Sequence, residues 1–297
     1  MKLYALASLL LVLTGCRGIA TGALADAMSG TGGSLASDDD PELVRDAAPF
    51  GLKTMESLLP EQPHHIGLLT ALTSGFTQYS YAFVQQEADA AELDGKSARA
   101  KPLKLRAKKL FLRARDYGLR GLDESQPGVS EKLKSMQNLD AACAGFKKED
   151  VPLLYWTAAA WALAISDGKE EMEMVSQLPA PGALAKRALE LDESWEQGTL
   201  HDFMVSYETS RPGGSEAEAK KHLDRAMELS KGHRLGVQVS WAEGPLVQGQ
   251  KRKEFEASLN SVVGFDVDSV PAERLANTIA QRRARSLLSH ADDLFNN

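Results

Sequence analysis

Ala107-Lys108-Lys109-Leu110-Phe111-Leu112-Arg113-Ala114 is matched further along the chain by Ala219-Lys220-Lys221-His222-Leu223-Asp224-Arg225-Ala226, with identity at both alanines, both lysines and the arginine. A weaker third copy is Arg187-Ala188-Leu189-Glu190-Leu191-Asp192. In each copy a small alanine follows the arginine on a helical pattern, the arrangement that lets one helix lie close against another. Chance similarity between amphipathic helices is the competing reading, and the two strict matches weigh against it.

The rest of the chain repeats the theme. Helical periodicity is expected over Glu42 to Leu59, Ile66 to Leu93, Ser97 to Leu122, Ser130 to Ala144, Val151 to Ser166, Ala180 to Leu191, Trp195 to Tyr207, Glu216 to Ser230, Arg234 to Glu243, Lys251 to Val263 and Ala272 to Phe295. Breaks are expected at Pro60 with Pro63, Pro127-Gly128, Pro179 to Gly182, Pro212-Gly213-Gly214, Gly244-Pro245 and Pro271. The best strand-like alternation, Gly236 to Trp241, is short and lies between helical neighbours. Arg113, Arg187 and Arg225 are spaced close to two and one tetratricopeptide periods of about 34 residues, allowing for loop insertions. The expected fold is all-α: a tetratricopeptide-like helical repeat, with antiparallel helix pairs stacked into a compact superhelix.

At the N-terminus, Lys2 precedes an apolar run from Leu3 to Leu13 interrupted only by Tyr4 and Ser8, followed by Leu13-Thr14-Gly15-Cys16. This is the layout of a secretory signal ending in a lipobox, with an ordinary signal peptide and a chance cysteine as the alternative. The run of about eleven residues is roughly 17 Å long as a helix, too short for a bilayer core of about 30 Å. Cys16 is therefore the expected lipidation site. Arg17 stands where an aspartate would suggest inner-membrane retention, so the periplasmic face of the outer membrane is expected ahead of the inner membrane. The division that follows is signal peptide 1–15, lipidated N-terminus and flexible spacer 16–40, and helical-repeat domain 41–297. The spacer is rich in Gly, Ser, Thr and Ala, although Ile19 to Met28 holds enough Ala and Leu for a short helix. The run Asp38-Asp39-Asp40 reads as helix N-capping rather than a calcium loop.

A net charge of −7, without clustered basic residues, argues against nucleic acid as a partner. The chain has two cysteines, and lipid on Cys16 would leave Cys143 as a lone thiol in an alanine-rich helix, where a buried, inert cysteine is expected. None of the six histidines has metal-ligand spacing. His64 and His65 read as a polar loop, and His201-Asp202 and His290 with Asp292 as capping or surface pairs. Gly-rich phosphate loops, Gly-x-Ser-x-Gly and cysteine clusters are all missing from the sequence. An enzyme, a metal site and a cofactor are accordingly not expected.

The aromatic residues Tyr155, Trp156, Trp161, Trp195, Phe203, Tyr207, Trp241 and Phe255 concentrate in the later repeats. Trp161 is rotated roughly 140° from Trp156 around their helix, which is apolar nearly all round. It either packs centrally on both sides, the preferred reading, or lines an apolar channel. The last helix carries Arg282, Arg283 and Arg285 largely off its apolar stripe, as expected of a solvated face or local ion pairs.

Glu149-Asp150-Val151-Pro152-Leu153-Leu154-Tyr155-Trp156 through Trp161, Ala188 to Asp192, Lys221 to Ser230 and Leu275 to Arg285 together resemble the T-component lipoproteins of tripartite ATP-independent periplasmic (TRAP) transporters. With the lipobox, the similarity runs from about Phe50 to Phe295. The resemblance implies an all-helical periplasmic lipoprotein that can form a homotrimer and docks the extracytoplasmic substrate-binding P subunit. It also implies an apolar small molecule held in a pore through each protomer. Tyr155, Trp156 and Trp161, with Tyr207 and Trp241 from the same aromatic set, are the candidate pore-lining residues. A structural helical-repeat scaffold of an outer-membrane complex, with no small ligand, is the alternative.

Overall fold

The computed structural model describes Ala25 and residues 35 to 296; the expected signal peptide and Cys16 lie outside the described residues. The regular elements are helical, with no strand among the described residues. In chain order they are α1 Pro41–Leu58, α2 Ile66–Tyr79, α3 Gln86–Leu93, α4 Ser97–Ser125, α5 Val129–Lys134, α6 Leu139–Cys143, α7 Val151–Ser166, α8 Met172–Val175, α9 Pro179–Leu191, α10 Thr199–Ser210, α11 Glu216–Ser230, α12 Gly236–Trp241, α13 Arg252–Gly264, α14 Arg274–Ser289 and α15 Ala291–Leu294.

Local chemistry sets the helix ends. Asp40 accepts a hydrogen bond from the Leu43 amide at 3.0 Å, and Pro41 occupies the first turn of α1, where its missing N–H costs nothing. The His65 ring caps α2 by accepting from Leu68 N at 3.0 Å. Ser215 caps α11, which ends at Lys231 in the left-handed region. Helix packing is mostly sequential: α2 and α7 pack on α4, α9 on α7, α10 on α9 and α11 on α10. The matched alanines serve these contacts, with Ala107, Ala114, Ala188 and Ala219 fully buried and Ala226 nearly so.

The central crossing is between α4 and α7. A Cβ on Gly118 would stand 2.2 Å from Thr157 Oγ1 and 3.0 Å from its Cβ, so the two backbones approach as closely as glycine permits. Around this crossing Phe111, Leu119, Leu154, Trp161 and Leu184 form the largest apolar core. A second core centres on Phe255, Leu259 and Leu287, and a third on Leu52, Leu68 and Leu72. Ala25, within the expected spacer, is helical and buried in the third core.

The chain also closes on itself. Arg282 of α14 forms a forked pair with Glu42 of α1 at 2.6 and 3.0 Å, and Arg274 Nη1 donates to Ser37 O at 3.0 Å. His290 lies 3.3 Å from Asp94, just beyond α3.

Several expectations need correction. The long helix expected from Ile66 to Leu93 is interrupted by a π-helical turn at Ser80–Gln85. A second π turn, Ala242–Leu246, carries the helix through Gly244-Pro245, where a break was expected. The wider turn accommodates a proline that donates no hydrogen bond. The strand-like Gly236 to Trp241 is helix α12. Ser130 to Ala144 divides into α5 and α6 because Met136 and Asn138 adopt positive φ. Of the two readings for the arginines of the last helix, ion pairing holds, with partners distant in sequence: Arg282 pairs with Glu42, and Arg283, 7% exposed, with Glu243.

Candidate functional site

Tyr81 in the first π turn and Glu243 in the second lie within electrostatic reach of each other. Tyr81, in the first, keeps 41% of its surface open. Its hydroxyl is nevertheless desolvated by surrounding protein, and it feels charge from Glu243, Arg283, Asp202 and Asp89, so its pKa is raised. A side chain that is both open and hemmed in faces a concavity rather than the outer surface. Glu243 comes from the second π turn, Arg283 from α14, Asp202 from α10 and Asp89 from α3.

α7 supplies a wall of this space. Tyr155 is half-buried, and its hydroxyl is held above its ordinary pKa by burial and then by the charge of Asp202; Tyr81 is also among the groups acting on it. Tyr155 meets Trp156 edge to face at a centroid distance of 4.8 Å and Trp195 at 5.0 Å with a 53° tilt. Trp195 is presented by a tight 3-10 turn in which Glu196 (φ 46°) and Gln197 (φ 55°) are left-handed before Gly198 (φ 90°). Glycine is needed at 198 for two reasons, since a Cβ there would also stand 3.0 Å from the Leu229 side chain of α11.

Burial raises the pKa of Asp202 against the opposing charge of Arg234. Arg234 is committed to Glu273, with contacts of 2.9 and 3.0 Å. Asn277 braces the same turn, accepting from Leu235 N at 3.1 Å and donating to His233 O at 2.8 Å. On α3, burial lifts Asp89 to about 6, with Arg283 opposing the shift from 3.9 Å. Beyond the end of α7, burial and then Asp89 lift Asp167 to about 7, and its Oδ2 is buried without a hydrogen-bond partner.

The aromatic residues singled out from the sequence do not all meet here. Tyr155 and Trp156 are in contact and half-buried. Trp161 is completely buried in the main core, where its indole donates to Gln177 Oε1 at 2.9 Å. Trp241 is 9% exposed in the C-terminal core. Tyr207 lies over Gly182, where a Cβ would come within 2.1 Å of its hydroxyl. It lines an open groove of about 570 Å³ with Met136, Leu139, Met204 and Arg211. Sequence reading missed Tyr81, Asp202 and Arg234, which no local pattern distinguishes from surface residues.

The histidines also differ from expectation. His201 is buried, with Nδ1 2.8 Å from His222 Nδ1 and Nε2 3.1 Å from Glu193, and burial followed by His222 lowers its pKa. His201 and Asp202 are therefore not a surface pair, and His290 pairs with Asp94 rather than Asp292. Cys143 is 2% exposed, and burial pushes its thiol up to about 11.

Among the described residues, no group of three His, Cys, Asp or Glu is arranged to hold a metal ion, and no helix is long and apolar enough to cross a membrane. An uncharacterized protein of Treponema pallidum (strain Nichols) is 27% identical over 269 residues, which is 87% of this chain and 81% of that protein. The family model described as TRAP transporter T-component, a transport component rather than a catalyst, matches residues 37–295. With a match of that extent, this chain belongs to the TRAP transporter T-component family.

Proposed function

We propose that this chain is the lipid-anchored adaptor of a TRAP-type solute transport system, docking the substrate-binding P subunit and holding a small ligand in the space between Tyr81, Tyr155 and Asp202. Tetratricopeptide-like antiparallel pairing of its helices and assembly into a homotrimer belong to the same reading. Cys16 carries the lipid and fixes the protein to the periplasmic face of the outer membrane. The observation supporting a ligand space is Tyr81, 41% open although its hydroxyl is desolvated by protein around it. The wall mixes the rings of Tyr155, Trp156 and Trp195 with carboxylates, which suits a ligand with an apolar body and a polar end.

The scaffold reading is favoured by one observation, the complete burial of Trp161 with its indole N–H satisfied. Co-purification from the envelope with a tagged P subunit, followed by native mass spectrometry, tests the two readings. A stable complex, with a small molecule released on denaturation, supports the adaptor. A complex that forms while the T component is consistently empty favours the scaffold. Failure to associate with any P subunit overturns the docking role.

A further inference from the structure

The net charge of −7 hides one strongly basic element. Residues 97–120, within α4, carry nine lysines and arginines and a single acid, Asp116, so the expectation of no clustered basic residues fails for this helix. Four of the nine are neutralised locally: Arg99 pairs with Glu87, Lys104 with Glu92, Lys108 with Glu171 and Arg115 with Asp116. Arg113 shares Glu56 with Lys53 of α1. Lys101, Arg106, Lys109 and Arg120 are exposed and have no carboxylate partner among the described residues. Arg106 donates instead to the Tyr79 hydroxyl at 3.4 Å, and Arg120 to Pro63 O at 3.3 Å. Spacings of three, four and seven residues put Arg106, Lys109, Arg113 and Arg120 on one face of the helix.

α1 lies alongside. Tyr117 of α4 donates to Glu56 at 2.5 Å, and Arg113 stands 3.7 Å from the same carboxylate. Arg45 and Pro49 of α1 and Arg106 of α4 line one open cleft of about 440 Å³ over Tyr79 and Phe83. On the side of α1 away from its buried Leu52, the exposed Leu43, Ala47 and Phe50 form a stripe at i, i+4 and i+7. Leu43 is 58% exposed and Phe50 80%, while Leu105, next to Arg106, is 51% exposed. Two adjoining helices thus present both unpaired cations and open apolar side chains. That combination suits the boundary of a bilayer, where apolar groups enter the headgroup layer and lysines and arginines meet lipid phosphates.

We propose that the surface formed by α1 and α4 lies against an anionic phospholipid bilayer, with Leu43, Phe50 and Leu105 entering the headgroup layer and Arg106, Lys109 and Arg120 meeting the phosphates. The inference rests on the lipid-anchor reading above. The reach of the tether favours this face. Ala25 packs in the third core with Leu52 of α1 and Ala114 of α4, and Cys16 is nine residues upstream of it. Nine extended residues span at most about 30 Å, so a bilayer holding Cys16 stays within that distance of the core these two helices share. Asp46 and Asp116, the exposed acids of this surface, are each taken up by a neighbouring arginine, Arg45 and Arg115, and do not offset the unpaired cations.

The test uses the full chain lipidated in cells, and the mature chain from residue 16 with Cys16→Ser, which contains every described residue. Phe50→Cys and, as a reference on α13, Asn260→Cys are labelled with an environment-sensitive dye. Cys143 is buried, and Cys16 is acylated in one form and replaced in the other, so neither competes for the label. With the lipidated chain in vesicles of phosphatidylcholine and phosphatidylglycerol, the dye at position 50 is expected to shift to the blue and to be quenched by nitroxide-bearing lipid, while the dye at 260 stays as in water. In flotation, the Cys16→Ser chain is expected to bind these vesicles, to lose them at high salt and to ignore pure phosphatidylcholine. Arg106→Gln combined with Lys109→Gln should weaken that binding about tenfold or more, the scale of two charges near an anionic surface. Neither residue has a carboxylate partner among the described residues, so the urea midpoint of the double variant should match the parent.

A dye at position 50 as wet as the one at 260 overturns the inference, as does a double variant that binds anionic vesicles like the parent. Shielding of position 50 by a second copy of the chain or by the P subunit, with vesicles ineffective, assigns the surface to that partner and overturns it too. A Cys16 peptide whose mass lacks the diacylglyceryl group overturns the anchor reading alone, and the Cys16→Ser chain on anionic vesicles then decides the surface by itself.

Discussion

Replacing Gly118 by alanine tests the crossing of α4 and α7 that positions Tyr155. The new Cβ would meet Thr157 Oγ1 at 2.2 Å, Cβ at 3.0 Å and Cγ2 at 3.1 Å, against an optimal separation of about 3.5–4.0 Å between carbons. Thr157 cannot easily turn away: it is fully buried and β-branched, and its hydroxyl donates to Leu153 O at 2.6 Å. Overpacking of this kind costs about 1–3 kcal/mol, and the helix preference of alanine over glycine returns about 1 kcal/mol. A net loss of up to about 2 kcal/mol is expected, read as a lower urea midpoint with an unchanged slope. Gly51→Ala in α1, where an added Cβ meets nothing within 4 Å, should instead raise stability by up to about 1 kcal/mol. Adding Thr157→Ala to the Gly118 variant removes the two closest obstacles except the Cβ and should recover most of the loss. If Gly118→Ala is as stable as Gly51→Ala, the described crossing is wrong, and with it the account of how Tyr155 is positioned.

Three further predictions follow from buried groups. Cys143 should resist Ellman's reagent at pH 8 in the native protein and react fully in denaturant, because its thiol is buried and pushed up to about 11; rapid native labelling would contradict this. Asp167, lifted by burial to about 7, binds its proton more tightly in the folded than in the unfolded chain. Its contribution therefore falls as pH rises from about 4 to 7, and Asp167→Asn should melt higher than the parent at pH 8 with the advantage gone at pH 4; a pH-independent difference would refute it. Arg283→Met should destabilise by less than the about 3–5 kcal/mol of a fully buried broken pair, because Glu243 is 42% exposed and can rehydrate; a urea midpoint above that of the parent would count against the pairing.

The helices were legible where punctuation and periodicity agreed. α7 and α11 have the limits read from the sequence, the latter because Ser215 caps one end and the Lys231-Gly232 turn closes the other. The matched alanines were legible as packing positions because a residue that lets backbones approach has to be small. The π turns were not, since one extra residue per turn leaves the apolar pattern nearly intact. The site was only partly readable: Tyr155 and Trp156 announce themselves by size, whereas Tyr81, Asp202 and Arg234 acquire meaning only when distant segments converge. Adjacent residues also mislead, as His201 turns to His222 and Glu193 while the Asp202 carboxylate lies beside Gly236 of α12. Burial of Trp161 and Trp241 in separate cores likewise depends on contacts that no local spacing encodes.

The pairing of Glu42 with Arg282, across 240 residues of sequence, changes how such an array comes apart and together. In an open stack each unit touches only its neighbours, so the ends fray first and melting spreads inward. Here α1 and α14 share a contact, so loosening either one exposes part of the other. Hydrogen exchange at the two termini should consequently rise and fall together. A chain made from its N-terminus completes α1 long before α14 exists, so that face of α1 waits for a helix more than 200 residues later.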